Sequence, residues 1–294
     1  MVRKYKEIIV HNGTFHADDV MCVAFMQYLF PDIVVRRLSL NELKDNCSPY
    51  TIVADIGYGK YDHHQSNTTL RKDGKKHASC GIIFEEFYEI LFDGFVPNKF
   101  LAHISQIEDY DNKYPDAEED YISKFVRLCN PEWNEDQSDL SMNKLFLKTV
   151  STIRIHFLTP YIALKELPEN EYLFFANEIN RLSKKHEEAE MEAAKYFSVA
   201  LASRNDDIVL LPIRMPWYSF LIPSKARFVI NPSNRGGYHL QCIPIEIGSN
   251  IFKQLLPAEW LDITPLGCTF VHQHLFIAAF DTEEHAILAA QNII

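Results

Sequence analysis

Glu7-Ile8-Ile9-Val10-His11-Asn12-Gly13-Thr14-Phe15-His16-Ala17-Asp18-Asp19 is the stretch on which the fold class turns. Three β-branched residues in a row read as a short buried strand that ends at a histidine. Asn12-Gly13-Thr14 reads as a turn. Over residues 17–30, Val20, Val23, Ala24, Met26 and Phe30 recur near helical spacing. Outward from this strand–turn–helix unit, residues 32–36 and 51–55 are further apolar strands. Strands separated by helices imply parallel pairing with right-handed crossovers.

Helices are expected over residues 79–92, with Ser79 as N-cap, and over 97–109, 138–157 and 169–202. The last carries Leu173, Ala176, Ile179, Leu182, Ala189, Ala193, Phe197 and Leu201 at steps of three and four, with a lysine and glutamate face between. At 1.5 Å per residue it is about 50 Å long, enough to pass from one domain to the next. Beyond Asp207 the pattern changes to strands at 208–214, 225–230, 238–243, 269–272 and 275–280, then a helix capped by Thr282. The expected architecture is α/β: an N-terminal parallel-sheet domain with added helices over residues 1–203, then a smaller α+β domain over 204–294.

Bulk properties narrow the function classes. The 294 residues are 47% hydrophobic and 23% charged, as in soluble globular proteins. The longest apolar runs, near residues 22–30 and 217–223, are too short or too interrupted to span a bilayer. Residues 1–7 lack the apolar stretch of a secretory signal, so cytoplasm is the expected compartment, with no membrane partner. Six cysteines include no CxxC pair, which argues against zinc ribbons and favours reduced, mostly buried thiols. A net charge of −11 disfavours an extended electrostatic grip on long nucleic acid. Any basic face is local. The best candidate is Arg71-Lys72-Asp73-Gly74-Lys75-Lys76-His77, and a solvated loop accounts for it equally well. There is no GxxxxGK run, and Gly57-Tyr58-Gly59 lacks the third glycine of a dinucleotide fingerprint.

Chemistry-bearing residues gather where predicted strands end. His11, His16, Asp18 and Asp19 lie in the first turn, Asp55 closes its strand, and Asp62-His63-His64-Gln65 follows. In open α/β sheets the carboxyl edge of the strands binds ligands, so His11, His16, Asp18, Asp55, His63 and His64 are expected to share one crevice. Plain structural readings exist. Turn histidines bond to backbone, and aspartates suit a helix start. Asp55 resists such a reading, because a carboxylate ending an apolar strand is costly to desolvate without a cation or donors. Imidazoles and carboxylates without thiolates suit manganese, magnesium, iron or zinc. Three neutral imidazoles and three carboxylates carry −3 against +4 for two divalent ions, a balance that favours a bridging hydroxide and an anionic substrate.

The segments Asn12-Gly13-Thr14-Phe15-His16-Ala17-Asp18, Asp55-Ile56-Gly57 and Tyr61-Asp62-His63-His64-Gln65 resemble those of the melanocyte-proliferating-gene (MYG) family. That family is a branch of the Asp-His-His (DHH) phosphoesterases that includes exonucleases acting on RNA. The likeness extends through Ser79-Cys80-Gly81, Asp111-Asn112, Asn130-Pro131-Glu132-Trp133-Asn134, Gln241-Cys242-Ile243-Pro244 and Gly267-Cys268-Thr269-Phe270-Val271-His272, over essentially the whole chain. It implies an N-terminal DHH domain holding two divalent ions, manganese first among the candidates. Metal ligands would be His11, His16, Asp18, a bridging Asp55, His63 and a fourth-motif Asp111, with Glu108 and Asp109 as competitors. His64 would face the substrate phosphate and Asp62 would orient its neighbours. The first motif departs from the commoner His-x3-Asp-x-Asp: here His16 stands where a carboxylate is usual, and Asp19 is extra.

In the second domain Asn231-Pro232-Ser233-Asn234-Arg235-Gly236-Gly237-Tyr238-His239 reads either as a hairpin turn or as a phosphate contact through Arg235, Gly236, Gly237 and His239, with Lys76 as a further contact. Trp133, Trp217 and Trp260 read as core before they read as base-stacking platforms. The expected function is a metal-dependent phosphodiesterase, a 3'-5' exonuclease-like enzyme on RNA or short oligonucleotides. Alternatives are a small phosphoanhydride or cyclic-dinucleotide hydrolase and, in another class, a non-catalytic metal-stabilised binding protein.

Overall fold

The computed structural model describes residues 5–43, 47–65, 69–200, 207–233, 236–247, 249 and 251–293. The chain forms two compact units, one of residues 1–131 and 136–184, the other of 132–135 and 185–294.

The first unit is built on β1 (Glu7–His11), β2 (Val34–Leu38) and β3 (Thr51–Val53), in sheet order β2-β1-β3. Both pairings are parallel, with Ile8 opposite Val35 and Ile52. Placing β1 centrally makes its carboxyl end the middle of the sheet edge. Helix α1 (Ala17–Leu29) follows, and every residue from Ala17 to Met26 is buried. A helix covered all round belongs inside a protein, and α1 packs against α2 (Ser79–Phe92), α3 (Asn98–Asp111), α4 (Tyr121–Cys129) and α5 (Asp139–Ile153).

Three local expectations need correction. Ser79 does not cap α2: it is the first helical residue, and no side chain of Ala78 caps the helix. The donors of Ser79 and Cys80 are taken instead by Asp18, which arrives from α1. The third strand is shorter than residues 51–55, because Asp55 adopts a left-handed φ of 58° that ends the extended run. The helix starting at Ser138 does not stop at Phe157. One wide π-helical turn at Arg154–Leu158 joins it to α6 (Thr159–Leu164). An inserted residue of this kind lets both halves keep burying Ile153, Phe157 and Leu158.

Helix α7 (Glu169–Ala200) runs through the division between the units. Ser203, the boundary expected from sequence, lies outside the described residues. The second unit holds β4 (Ile208–Leu210), α8 (Tyr218–Leu221), β5 (Phe228–Pro232), β6 (Tyr238–Cys242), β7 (Cys268–Val271), β8 (Ile277–Phe280) and α9 (Glu283–Gln291). Its sheet order is β4-β5-β6-β8-β7, parallel only at β4–β5. Alternation along β5 sends Phe228 and Ile230 into a core with Trp260 and Ala286, and Val229 into another with Trp217 and Leu221. Trp217 and Trp260 are therefore core residues, and the Trp133 indole donates to the Ala189 carbonyl at 2.9 Å. Among the described residues no helix is long and apolar enough to cross a membrane.

Candidate metal centre

β1 delivers His11 to the sheet edge, the turn delivers His16, and the first turn of α1 delivers Asp18 and Asp19. The left-handed Asp55 turns its carboxylate back toward β1. Its Oδ2 lies 3.2 Å from His11 Nε2, and its Oδ1 lies 3.5 Å from His63 Nδ1 and 3.6 Å from His64 Nδ1. The two oxygens of one buried carboxylate thus address two separate groups of ligand atoms.

The second group is closed by Asp18 Oδ2, 3.5 Å from His63 Nδ1, and by Asp111 Oδ2, 3.2 Å from His63 Nε2 at the end of α3. Asp18, His63 and Asp111 form one set of potential ligand atoms, and Asp55, Asp62, His63 and His64 another. His16 is exposed, with its ring 5.6 Å from that of His11. The residues expected to converge do lie together.

The competitors of Asp111 are committed elsewhere. Glu108 accepts from His77 Nδ1 at 2.7 Å and from the Ala78 amide, and Gly81 leaves it room, since a Cβ there would sit 1.7 Å from its Oε1. Asp109 pairs with Arg71 and Lys75. Those pairs also neutralise much of the basic run, leaving Lys72 and Lys76 exposed. The Lys76 backbone is pinned to α3 and the residues after it by the Tyr114 hydroxyl and the Asn112 amide.

Asp62 is buried and fully occupied. Its Oδ2 accepts from the Tyr58 amide, and its Oδ1 from the His64 amide and His64 Nδ1 at 2.7 Å. This bond fixes the His64 tautomer and orientation, while the His64 side chain stays 55% exposed. The Asp62 bond raises His64 above its ordinary pKa. Burial opposes, but the bonds to His64 and Tyr58 hold Asp62 below the usual carboxylate range.

In the second unit, Gly236 and Gly237 both have positive φ. A Cβ on Gly237 would lie 2.1 Å from the Phe280 carbonyl, so its close approach is to β8 of its own sheet. His239 lies half-buried on β6, and Arg235 is outside the described residues.

Sequence reading missed the supports. Arg37, at the end of β2, donates to the Gly13 carbonyl at 2.6 Å and lies over the Phe15 and Phe146 rings. Asn130, following α4, grips both sides of Phe15: its Oδ1 accepts from the Phe15 amide and its Nδ2 donates to the Phe15 carbonyl. The segment bearing His11 and His16 is thereby held from two elements. Asn130→Ala, which strands a backbone amide and carbonyl, should cost about 1–3 kcal/mol in urea unfolding; wild-type stability would refute the clamp.

Without a cation the cluster stores protons. Burial, then Asp18 and Asp111, push Asp55 well above the ordinary carboxylate range. Burial raises Asp19 to about 7. Burial pulls His63 down, but bonds to Asp111 and Asp18 outweigh it and lift the imidazole to about 11. Against the pull of its own burial, the His63 bond holds Asp111 down at about 2. A metal must displace the protons on His63 and, below about pH 7, on Asp19, so affinity should rise with pH. We expect manganese to bind more tightly at pH 8 than at pH 6, by up to roughly tenfold per unit for each proton released. Calorimetry in two buffers of different ionisation enthalpy reads that release directly, and pH-independent binding would contradict it.

The donor set suits a hard-to-borderline divalent ion. Cys22 and Cys80 are the buried thiols that feel these aspartates, and burial keeps both protonated. Fold and site together define an α/β protein with a histidine–aspartate cluster that could hold a metal ion at the carboxyl edge of a parallel sheet. The family model MYG1_exonuc, described as Uncharacterised protein family (UPF0160), matches residues 7–99 and 100–294, and the chain belongs to that family. It is 25% identical to the MYG1 protein of Dictyostelium discoideum, over 96% of this chain and 94% of that one. It is 24% identical to the MYG1 exonuclease of Homo sapiens, over 96% of this chain and 84% of the relative. Among solved structures, the pGpG-specific phosphodiesterase PggH from Vibrio cholerae aligns with a TM-score of 0.46 and 9% identity, over 99% of this chain and 97% of that one.

Proposed function

We propose that this protein is a metal-dependent phosphodiesterase of the DHH type, an exonuclease releasing nucleotides from RNA or short oligonucleotides. The observation that carries the reading is the division of the Asp55 carboxylate between His11 on one side and His63 and His64 on the other. The relatives named MYG1 exonuclease in Mus musculus and Homo sapiens support it. Two divalent ions, manganese first, would supply water activation and charge neutralisation at phosphorus.

His11, His16 and Asp55 would hold one ion, and Asp18, Asp55, His63 and Asp111 the other. Asp18 is aimed by the Ser79 and Cys80 amides at the start of α2. His64 presents its outer ring nitrogen to a substrate phosphate, while Asp62 keeps the inner one protonated. Asp62 cannot double as a ligand without surrendering those bonds, so its role is orientation. Lys76 is a proposed phosphate contact of the first unit, and Arg235, Gly236, Gly237 and His239 are proposed ones of the second. Six cysteines, none of them in a disulfide, suit a reducing compartment, and cytoplasm is the proposed location.

The test is incubation of the chain with manganese and single-stranded RNA labelled at either end. Stepwise release of mononucleotides, abolished in His64→Ala and absent with calcium or chelator, supports the reading. Turnover of only pyrophosphate or a cyclic dinucleotide transfers the chemistry to a small substrate. Metal binding without any phosphoester cleavage leaves a non-catalytic protein.

A further inference from the structure

Asp19 is the acidic residue that the motif treats as surplus, yet it is wholly buried at the centre of the cluster. Its two oxygens have different surroundings. Oδ1 accepts from the His16 amide at 2.8 Å and closes the first turn of α1. A residue needed only for that cap would turn its second oxygen to water. Oδ2 instead points inward, 3.3 Å from His11 Nε2, and accepts no hydrogen bond among the described residues.

His11 sharpens the point. Its Nδ1 lies 2.8 Å from the Asn12 carbonyl, which can only accept, so that nitrogen carries a proton. In the neutral ring Nε2 is then a lone pair, directed at Asp19 Oδ2 and, at 3.2 Å, at Asp55 Oδ2. Three electron-rich atoms facing one another repel unless a proton or a metal cation lies among them. The spacing suits one: with metal–ligand bonds of about 2.0–2.2 Å, adjacent donors lie about 3.0–3.4 Å apart. Arg37 adds positive charge nearby through bonds to Gly13 and Asn143, without occupying the Asp19 oxygen.

We infer that Asp19 Oδ2 is a direct ligand of the first metal ion, beside His11 Nε2 and Asp55 Oδ2, so that this carboxylate takes the place that a histidine at position 16 leaves without an acid. The assignment rests on the two-ion reading above. It adds a negative charge to the first site, restoring the acidic donor that His16 lacks, while His16 reaches the same ion from the exposed side.

Asp19→Asn tests it, because the amide oxygen keeps the cap and the size. Manganese uptake is counted by electron paramagnetic resonance, and cobalt(II) absorption reports the coordination of the first ion. The expected result is two manganese ions for the wild type, one retained by Asp19→Asn and the other weakened more than ~10-fold. The cobalt spectrum of that site should change, while the metal-free melting temperature is unchanged or higher. Uptake of both ions with wild-type affinity, or weaker uptake with an unaltered cobalt spectrum, overturns the assignment. A wild type that binds two ions and cleaves no phosphodiester removes the proposed activity and leaves Asp19 a ligand, so the two claims fail separately.

Discussion

Asp55→Asn is expected to reduce manganese-dependent phosphodiester cleavage by more than about 100-fold, several kcal/mol of lost stabilisation at phosphorus. The replacement keeps one oxygen and exchanges the other for an amide that donates hydrogen bonds. Either way round, one side of this residue exchanges a carboxylate oxygen for an amide nitrogen: the His11 side at Oδ2, or the His63 and His64 side at Oδ1. Asparagine is the right substitution because the backbone here has φ 58°, a left-handed conformation that asparagine tolerates and alanine does not. Loss of activity is then not confused with loss of fold. The metal-free variant should melt no lower than wild type, since a buried carboxylate raised by burial and by Asp18 and Asp111 has been removed. Retention of a tenth or more of wild-type activity would show that the two groups do not work through a shared carboxylate.

Phe100→Ala is expected to destabilise the chain by about 3–5 kcal/mol and lower its melting temperature by roughly 10 °C. Phe100 is fully buried on α3, and its ring lies 4.7–6.3 Å from those of Phe25, Phe84, Phe92, Phe157 and Tyr161. Those rings come from α1, α2, the π-helical turn and α6, so one truncation opens a cavity that four elements line. Backbone stiffness limits how far they can close it. Because α3 also carries Asp111, manganese affinity should fall with stability. A loss below about 1 kcal/mol in urea unfolding would mean that the cluster repacks freely.

Much of the site is legible in the sequence. A β-branched run closed by His11, a Gly-containing turn and a helix opening on acids is a local pattern, and parallel strands bring their carboxyl ends to one edge by topology alone. That is enough to bring His11, Asp18, Asp55 and His63 together. It was not enough to identify what holds them. Asp18 meets the amides of Ser79 and Cys80 across more than sixty positions, so a serine that looks like an N-cap turns its hydroxyl to His63 Nδ1 at 3.1 Å instead. Asn130 reaches Phe15 across a still longer separation. Helix α4 has no counterpart among the elements expected from sequence, although Asp120 caps it by accepting from the Ser123 amide. Its β-branched and aromatic residues have weak helical preference, and burial of Ile122, Phe125 and Val126 decides the matter.

Residue type and order therefore settled the chemistry available at the sheet edge, because strand periodicity and crossover handedness are short-range rules. Packing alone settled which oxygen faces which nitrogen. Asp111 rather than Asp109 reaches His63, since a helix turns about 100° per residue and the two acids therefore meet different partners, His63 for one and Arg71 with Lys75 for the other. Asp19, which reads as a helix-start residue, is a buried carboxylate beside His11 because the fold closes over it. Desolvation is a property of surroundings, and no run of neighbouring letters encodes it.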